Sequence, residues 1–165
     1  FIEYFNQHPE VKLIIAPHVI DENHLVEIIR KLKRPYVRYT RADEKNVRKA
    51  DCLIVDCFGL LSSIYRYGEI AYIGGGFGVG IHNTLEAAVY GIPVIFGPKY
   101  QKFQEAVQLL EAKGAFSVKD YEELKTLLDR MLTDEVFLRE SGMNASNYVT
   151  SNAGATDKIM SMINF

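Results

Sequence analysis

Short apolar runs alternate with amphipathic helical patterns along nearly the whole chain, and that alternation leaves few folds open. A strand apolar on both faces needs cover on both, which helices connecting parallel strands supply. Residues 11–16 (VKLIIA) form such a run, stopped by Pro17. Further strands are expected at 36–39, 52–55, 70–73, 93–96 and 115–118. Between them Leu25, Ile28, Ile29 and Leu32 recur at helical spacing, with Asp21 placed to cap their helix. Leu60, Leu61, Ile64 and Tyr65 make a second helical pattern, and 83–90 a third, closed by Gly91. Phe103, Ala106, Val107 and Leu110 form a stripe that stops near Gly114; Tyr121, Leu124, Leu127, Leu128 and Met131 form another. The rest reads as helical to the C-terminus, with a break at 151–154. No repeat or low-complexity linker interrupts the pattern. The expectation is one α/β domain over residues 1–165, a parallel sheet with helices on both faces.

At 165 residues the chain is long enough to bury a substantial core. A formal net charge of -2, without runs of like charge, argues against a general polyanion binder and against nucleic acid as a partner. Cys52 and Cys57 flank an apolar run and read as two reduced, buried thiols rather than a disulfide or a metal framework. No apolar stretch reaches the roughly 18 residues a membrane span needs. The chain begins at Phe1 without a signal peptide and reads as a piece of a longer protein.

Ligands of open parallel sheets bind beyond the carboxyl ends of the strands. Four loops therefore matter: Pro17-His18, Asp56 to Gly59, Gly74 to Asn83, and Gly97 to Lys102. The third is the strongest signal. GGGFGVG at 74–80 places five glycines in seven residues between a buried strand and a helix. Glycine lets the backbone approach a bulky anion, and the first amides of the following helix point outward, so a phosphate suits the place. Neither the dinucleotide fingerprint, which meets Val79 at its third glycine, nor the Walker pattern is present. A tight crossover without ligand is the structural alternative. Asn83 and Glu86 have capping-box spacing, yet a carboxylate in that first turn can also accept both ribose hydroxyls of a nucleotide. His82 can donate to a phosphate or sugar hydroxyl, or simply complete the loop.

The stretch GIHNTLEAAVYGIPVIFGP at 80–98 resembles the signature of 3-deoxy-D-manno-octulosonic acid (Kdo) transferases, G-G-H-N-x-L-E-P-A followed by G-x-P-V-x-F-G-P. AYIGGG at 71–76, the loop beginning at Asp56 and the strand ending IIAP at 14–17 are also similar, and the order holds from about residue 11 to 114. The resemblance implies a GT-B glycosyltransferase with this chain as its second, Rossmann-like domain, moving Kdo from CMP-Kdo to lipid A precursor at the cytoplasmic face of the inner membrane. It implies donor contacts from Pro17, His18, Asp56, Phe58, Gly59, Gly74, Gly75, Gly76, His82, Asn83, Thr84 and Glu86, with Glu86 on the ribose. It implies no metal and no cofactor, with the general base in an N-terminal domain outside this chain, and membrane contact only through the parent protein. Two positions depart from the pattern: His18 stands where arginine is usual, and DCFGLL at 56–61 has Leu60 where D-T-M-G-E-L has glutamate. A UDP-sugar transferase or epimerase, or a non-catalytic nucleotide-binding module, would use the same loop.

Overall fold

The computed structural model describes residues 1–78, 80–154 and 160–161. The chain divides into two compact units, Phe1–Ile64 and Tyr65–Phe165.

The first unit opens with a helix that the sequence pattern left undecided, α1 (Ile2–Gln7), which buries Tyr4 and Phe5. Arg34 fastens its end. Nη1 donates to the carbonyls of Phe5 (2.8 Å), His8 (2.8 Å) and Val11 (2.9 Å), and Nη2 to that of Pro9 (2.9 Å). A cation there meets the orphan carbonyls and the negative pole of the helix. The guanidinium also lies 4.1 Å from the Phe5 ring centre.

Then follow β1 (Leu13–Ile15), α2 (Glu22–Lys31), β2 (Tyr36–Arg38), α3 (Glu44–Val47), β3 (Cys52–Ile54) and α4 (Leu61–Ile64). Asp21 caps α2 as its sequence position suggests, accepting from the His24 amide. The short α3 is held by a capping box of Asp43 and Asn46. The three strands are parallel in the order β1-β3-β2, with Leu13 and Tyr36 both opposite Cys52. Phe5, Leu13, Leu25, Cys52 and Ile54 form the core of this unit.

The second unit contains β4 (Ala71–Tyr72), α5 (Leu85–Ala88), β5 (Val94–Phe96), α6 (Gln104–Glu111), β6 (Ala115–Ser117), α7 (Tyr121–Thr133) and α8 (Glu135–Asn152). Its strands are again parallel, in the order β4-β5-β6. All three residues of β5 are buried, so both faces of this central strand are covered. The α/β order of parallel strands and flanking helices that the sequence predicts is thus present, with all six expected strands, but they form two three-stranded sheets where one was expected.

The other differences are local. α5 is shorter than 83–90, because Thr84 already serves as N-cap and the chain turns at Gly91, whose φ is 72°. The Gly91 amide closes the turn onto the Ala88 carbonyl. α7 and α8 are separate helices joined at Asp134, which ends one and caps the other by accepting from the Phe137 amide. Cys57 is partly exposed while Cys52 is buried, and both are free thiols. Helix α8 breaks at Ala153 and Gly154 as expected, and most of the segment beyond lies outside the described residues.

Helix α8 reaches the sheet through its small residues. A Cβ on Gly142 would stand 2.2 Å from the Gly91 carbonyl oxygen, and one on Gly114 would stand 2.6 Å from Ala145 Cα. The helix therefore seats on the two turns that precede β5 and β6.

Candidate functional site

In the second unit the glycine-rich segment leaves β4 and doubles back on itself. Gly75 and Ile81 form an isolated antiparallel bridge, the Gly76 amide donates to the Gly80 carbonyl at 3.3 Å, and the His82 amide donates to the Gly74 carbonyl at 3.4 Å. Gly75 and Gly76 carry φ values of 95° and 79°, in the left-handed region that favours glycine. The loop is wedged against the connection between β5 and α6. A Cβ on Gly76 would fall 2.8 Å from Gly97 Cα, and one on Gly80 would fall 2.4 Å from Phe103 Cζ. The Lys99 amide donates to the Gly76 carbonyl at 2.9 Å, tying the loops leaving β4 and β5 together. Close backbone packing is therefore part of what these glycines do, whether or not a ligand is present.

At the far side of the loop the chain enters α5. The Leu85 amide donates to Asn83 Oδ1 at 3.0 Å, and Asn83 Nδ2 donates to Glu86 Oε1 at 2.9 Å. This is not the reciprocal capping box that the spacing suggested. Asn83 holds the helix start and, through its amide, orients the Glu86 carboxylate. One carboxylate oxygen takes that bond, leaving acceptor capacity for vicinal hydroxyls. Burial, with the Glu86 charge adding to it, pushes the Tyr65 phenol up, so this neighbour stays protonated. His82 and Asn83 are exposed, and Glu86 is half-buried. Thr84 is buried, and among the described residues its hydroxyl finds no hydrogen-bond partner. Gly74, Gly75, Gly76, His82, Asn83, Thr84 and Glu86 are thus brought together at the carboxyl end of β4.

The remaining expected residues belong to the first unit, after its adjacent parallel strands β1 and β3. Pro17 and His18 follow β1, with His18 exposed. Asp56 follows β3, but its carboxylate is turned inward, with its side chain 0% exposed. Oδ2 accepts from Arg38 Nε at 2.7 Å and from the Thr40 hydroxyl at 2.6 Å, and Oδ1 accepts from the Thr40 amide at 2.9 Å. Burial opposes its ionisation, yet the Thr40 hydroxyl and amide and then the Arg38 guanidinium outweigh it and hold the pKa down to about 2. Arg38 Nη1 reaches on to Glu22 Oε1 at 2.8 Å. Asp56 therefore joins the ends of β2 and β3 to the start of α2. Phe58 at the loop tip is 83% exposed, and nothing lies near a Cβ built on Gly59, whose φ is 86°. Sequence reasoning missed Arg38 and Thr40. The signal available was their place at the carboxyl end of a strand.

A cleft of about 700 Å³ lies elsewhere in the second unit, beside β6 and α7, lined among others by Ala115, Phe116, Val118, Leu127 and Arg130. It contains none of the glycine-loop residues, and it is a broad groove rather than an enclosed site. Among the described residues no cluster of three or more His, Cys, Asp or Glu side chains could hold a metal ion, and no helix is long and apolar enough to cross a membrane.

Comparison with known proteins extends this geometry. No protein-family model matches the chain. A 3-deoxy-D-manno-octulosonic acid transferase from Aquifex aeolicus is 37% identical over 135 residues, which cover 81% of this chain. The chain is a homologue of the Kdo transferases. A second such transferase, from Rickettsia bellii, is 33% identical over 116 residues, or 68% of the chain. The match spans 37% of the Aquifex Kdo transferase and 28% of the Rickettsia one, so the chain corresponds to a part of each. The crystal structure of the C-terminal CMP-Kdo binding domain of WaaA from Acinetobacter baumannii superposes with a TM-score of 0.74, covering 89% of this chain and 78% of that one. At 19% identity that likeness establishes the fold, a Rossmann-like arrangement of parallel strands and helices.

Proposed function

We propose that this chain is the donor-binding part of a glycosyltransferase that moves Kdo from CMP-Kdo to lipid A precursor in lipopolysaccharide synthesis. The observation that carries the reading is the paired glycine loop and Asn83–Glu86 arrangement at the carboxyl end of β4. The names of the Kdo transferase homologues and of the CMP-Kdo binding domain support the choice of donor. Residues 1–165 act on this reading as one donor-binding domain of a two-domain GT-B enzyme, working at the cytoplasmic face of the inner membrane.

The chemistry is displacement at the anomeric carbon by an acceptor hydroxyl, with CMP as leaving group. A base within hydrogen-bond reach of that hydroxyl takes its proton, and it is supplied from outside this chain. The residues here stabilise the departing nucleotide. Glu86, oriented by Asn83, accepts the ribose hydroxyls, while the exposed His82 side chain serves the phosphate. Pro17, His18, Asp56, Phe58 and Gly59, which the resemblance also implies as donor contacts, stand in the first unit after β1 and β3, where the Asp56 carboxylate is held by Arg38 and Thr40.

Titration of the full-length protein with CMP, UDP and GDP tests the proposal. Selective CMP binding, weakened at least tenfold by Glu86→Ala as expected for a lost charge-assisted hydrogen bond, is the expected result. Preference for UDP would move the assignment to a UDP-sugar enzyme. Indifference to all three nucleotides would overturn it.

A further inference from the structure

The Gly76 and His82 amides are spent on carbonyls within the glycine loop, and among residues 74–86 the only acidic or basic side chains are His82 and Glu86. A phosphate bound there is held more firmly with a cation beside it. We propose that Lys99, in the loop between β5 and α6, is the phosphate-binding cation of this site.

Its backbone is fixed to the loop, since the Lys99 amide donates to the Gly76 carbonyl at 2.9 Å. Its side chain turns back over the loop, with Nζ donating to the Gly78 carbonyl at 3.3 Å. Among the described residues no carboxylate pairs with it; the lysine ion pairs of the structure use Lys12, Lys119 and Lys125. The contrast with Arg38 is instructive, because that guanidinium already serves Asp56 and Glu22. Lys99 is exposed and gives one of its three N–H donors to a neutral oxygen at long range. It can exchange that contact for a charged oxygen without stranding a buried group. A lysine ammonium acts on phosphate as a compact point charge and needs no fixed fork geometry.

This assignment rests on the nucleotide reading above, and it is tested so that the two can fail separately. The full-length protein and its Lys99→Met and Lys99→Arg variants are titrated with CMP and with cytidine, which lacks the phosphate. Wild type should prefer CMP. Lys99→Met should lose about tenfold or more in CMP affinity, keep its cytidine affinity, and show a weaker salt dependence, while Lys99→Arg restores CMP binding in part. An unchanged preference for CMP in Lys99→Met overturns the role of Lys99 and leaves the nucleotide site standing. Equal loss of CMP and cytidine overturns it as well, by showing that Lys99 serves only the loop's shape. If wild type binds neither compound, both readings fall.

Discussion

Arg38 Nε donates to Asp56 Oδ2 at 2.7 Å, so the outgoing ends of β2 and β3 are joined by a charge pair with its carboxylate fully enclosed. A carboxyl group held at about 2 lies below its usual value, near 3.9. Its contribution is complete above about pH 4 and is lost as pH falls through about 2. Acid should therefore destabilise the wild-type fold in that window. Asp56→Asn should be less stable at pH 7 and should show a flatter dependence from pH 4 to 2. Thermal melts at several pH values decide this, and parallel curves for the two proteins would assign the acid sensitivity to other groups.

The cysteines differ in chemistry as they differ in place. Burial pushes the Cys52 thiol up to about 12, against a smaller opposing pull from Arg34, whereas Cys57 is partly exposed. Since the thiolate is the reactive form, alkylation of native protein near pH 8 should label Cys57 first and Cys52 only on unfolding. Mass spectrometry of a timed reaction reads the order, and early labelling of Cys52 would contradict the packing of β3.

Gly142 leaves no room for a side chain against the Gly91 carbonyl, with only 2.2 Å available to a Cβ. Gly142→Ala must push α8 off the turn before β5. Overpacking of this kind costs about 1–3 kcal/mol, despite alanine being the better helix former. Urea unfolding measures the cost. A stabilised variant would mean that α8 seats differently.

Gly80 and Phe103 should be coupled, because a Cβ on the glycine would overlap the ring at 2.4 Å. Gly80→Ala alone should destabilise the protein and weaken nucleotide binding, and Phe103→Leu in the same chain should recover part of both. A double-mutant cycle is expected to give about 0.5–3 kcal/mol of coupling, and simple additivity would separate the two residues.

Arg34 donates to four main-chain carbonyls from one planar group. Lysine has a point charge and no fork, so Arg34→Lys should leave some of those oxygens unmet. The expected loss is about 1–3 kcal/mol, with earlier proteolysis near residues 1–12 than in wild type. Unchanged protease sensitivity would show that α1 is held by the burial of Tyr4 and Phe5 alone.

The strands were legible in the sequence because burial on both faces leaves an unbroken apolar run, as at 93–96. So was the glycine loop, since five glycines after a strand have few other uses. What escaped depends on partners distant in the chain. The four-residue α3 has too few turns for a helical period, and its cap residues Asp43 and Asn46 look like any polar loop. The inward turn of Asp56 is set by Thr40 and Arg38, sixteen and eighteen residues earlier. The Asn83 to Glu86 bond shows the middle case, where spacing gave the right pair of residues and the wrong pattern of donors.

Gly76 and Gly97 each forbid a side chain on the other, at 2.8 Å, while a Cβ on Gly78 would meet nothing within 4 Å. Descent should treat these positions differently. Neither member of the opposed pair can be the first to change, so a lineage inherits both for as long as it keeps the sheet. Gly78 is under no such mutual lock, and packing does not oppose a side chain there. A Gly78 that stayed constant among descendants would therefore record a demand other than the fold, whereas constancy at Gly76 and Gly97 records the fold alone.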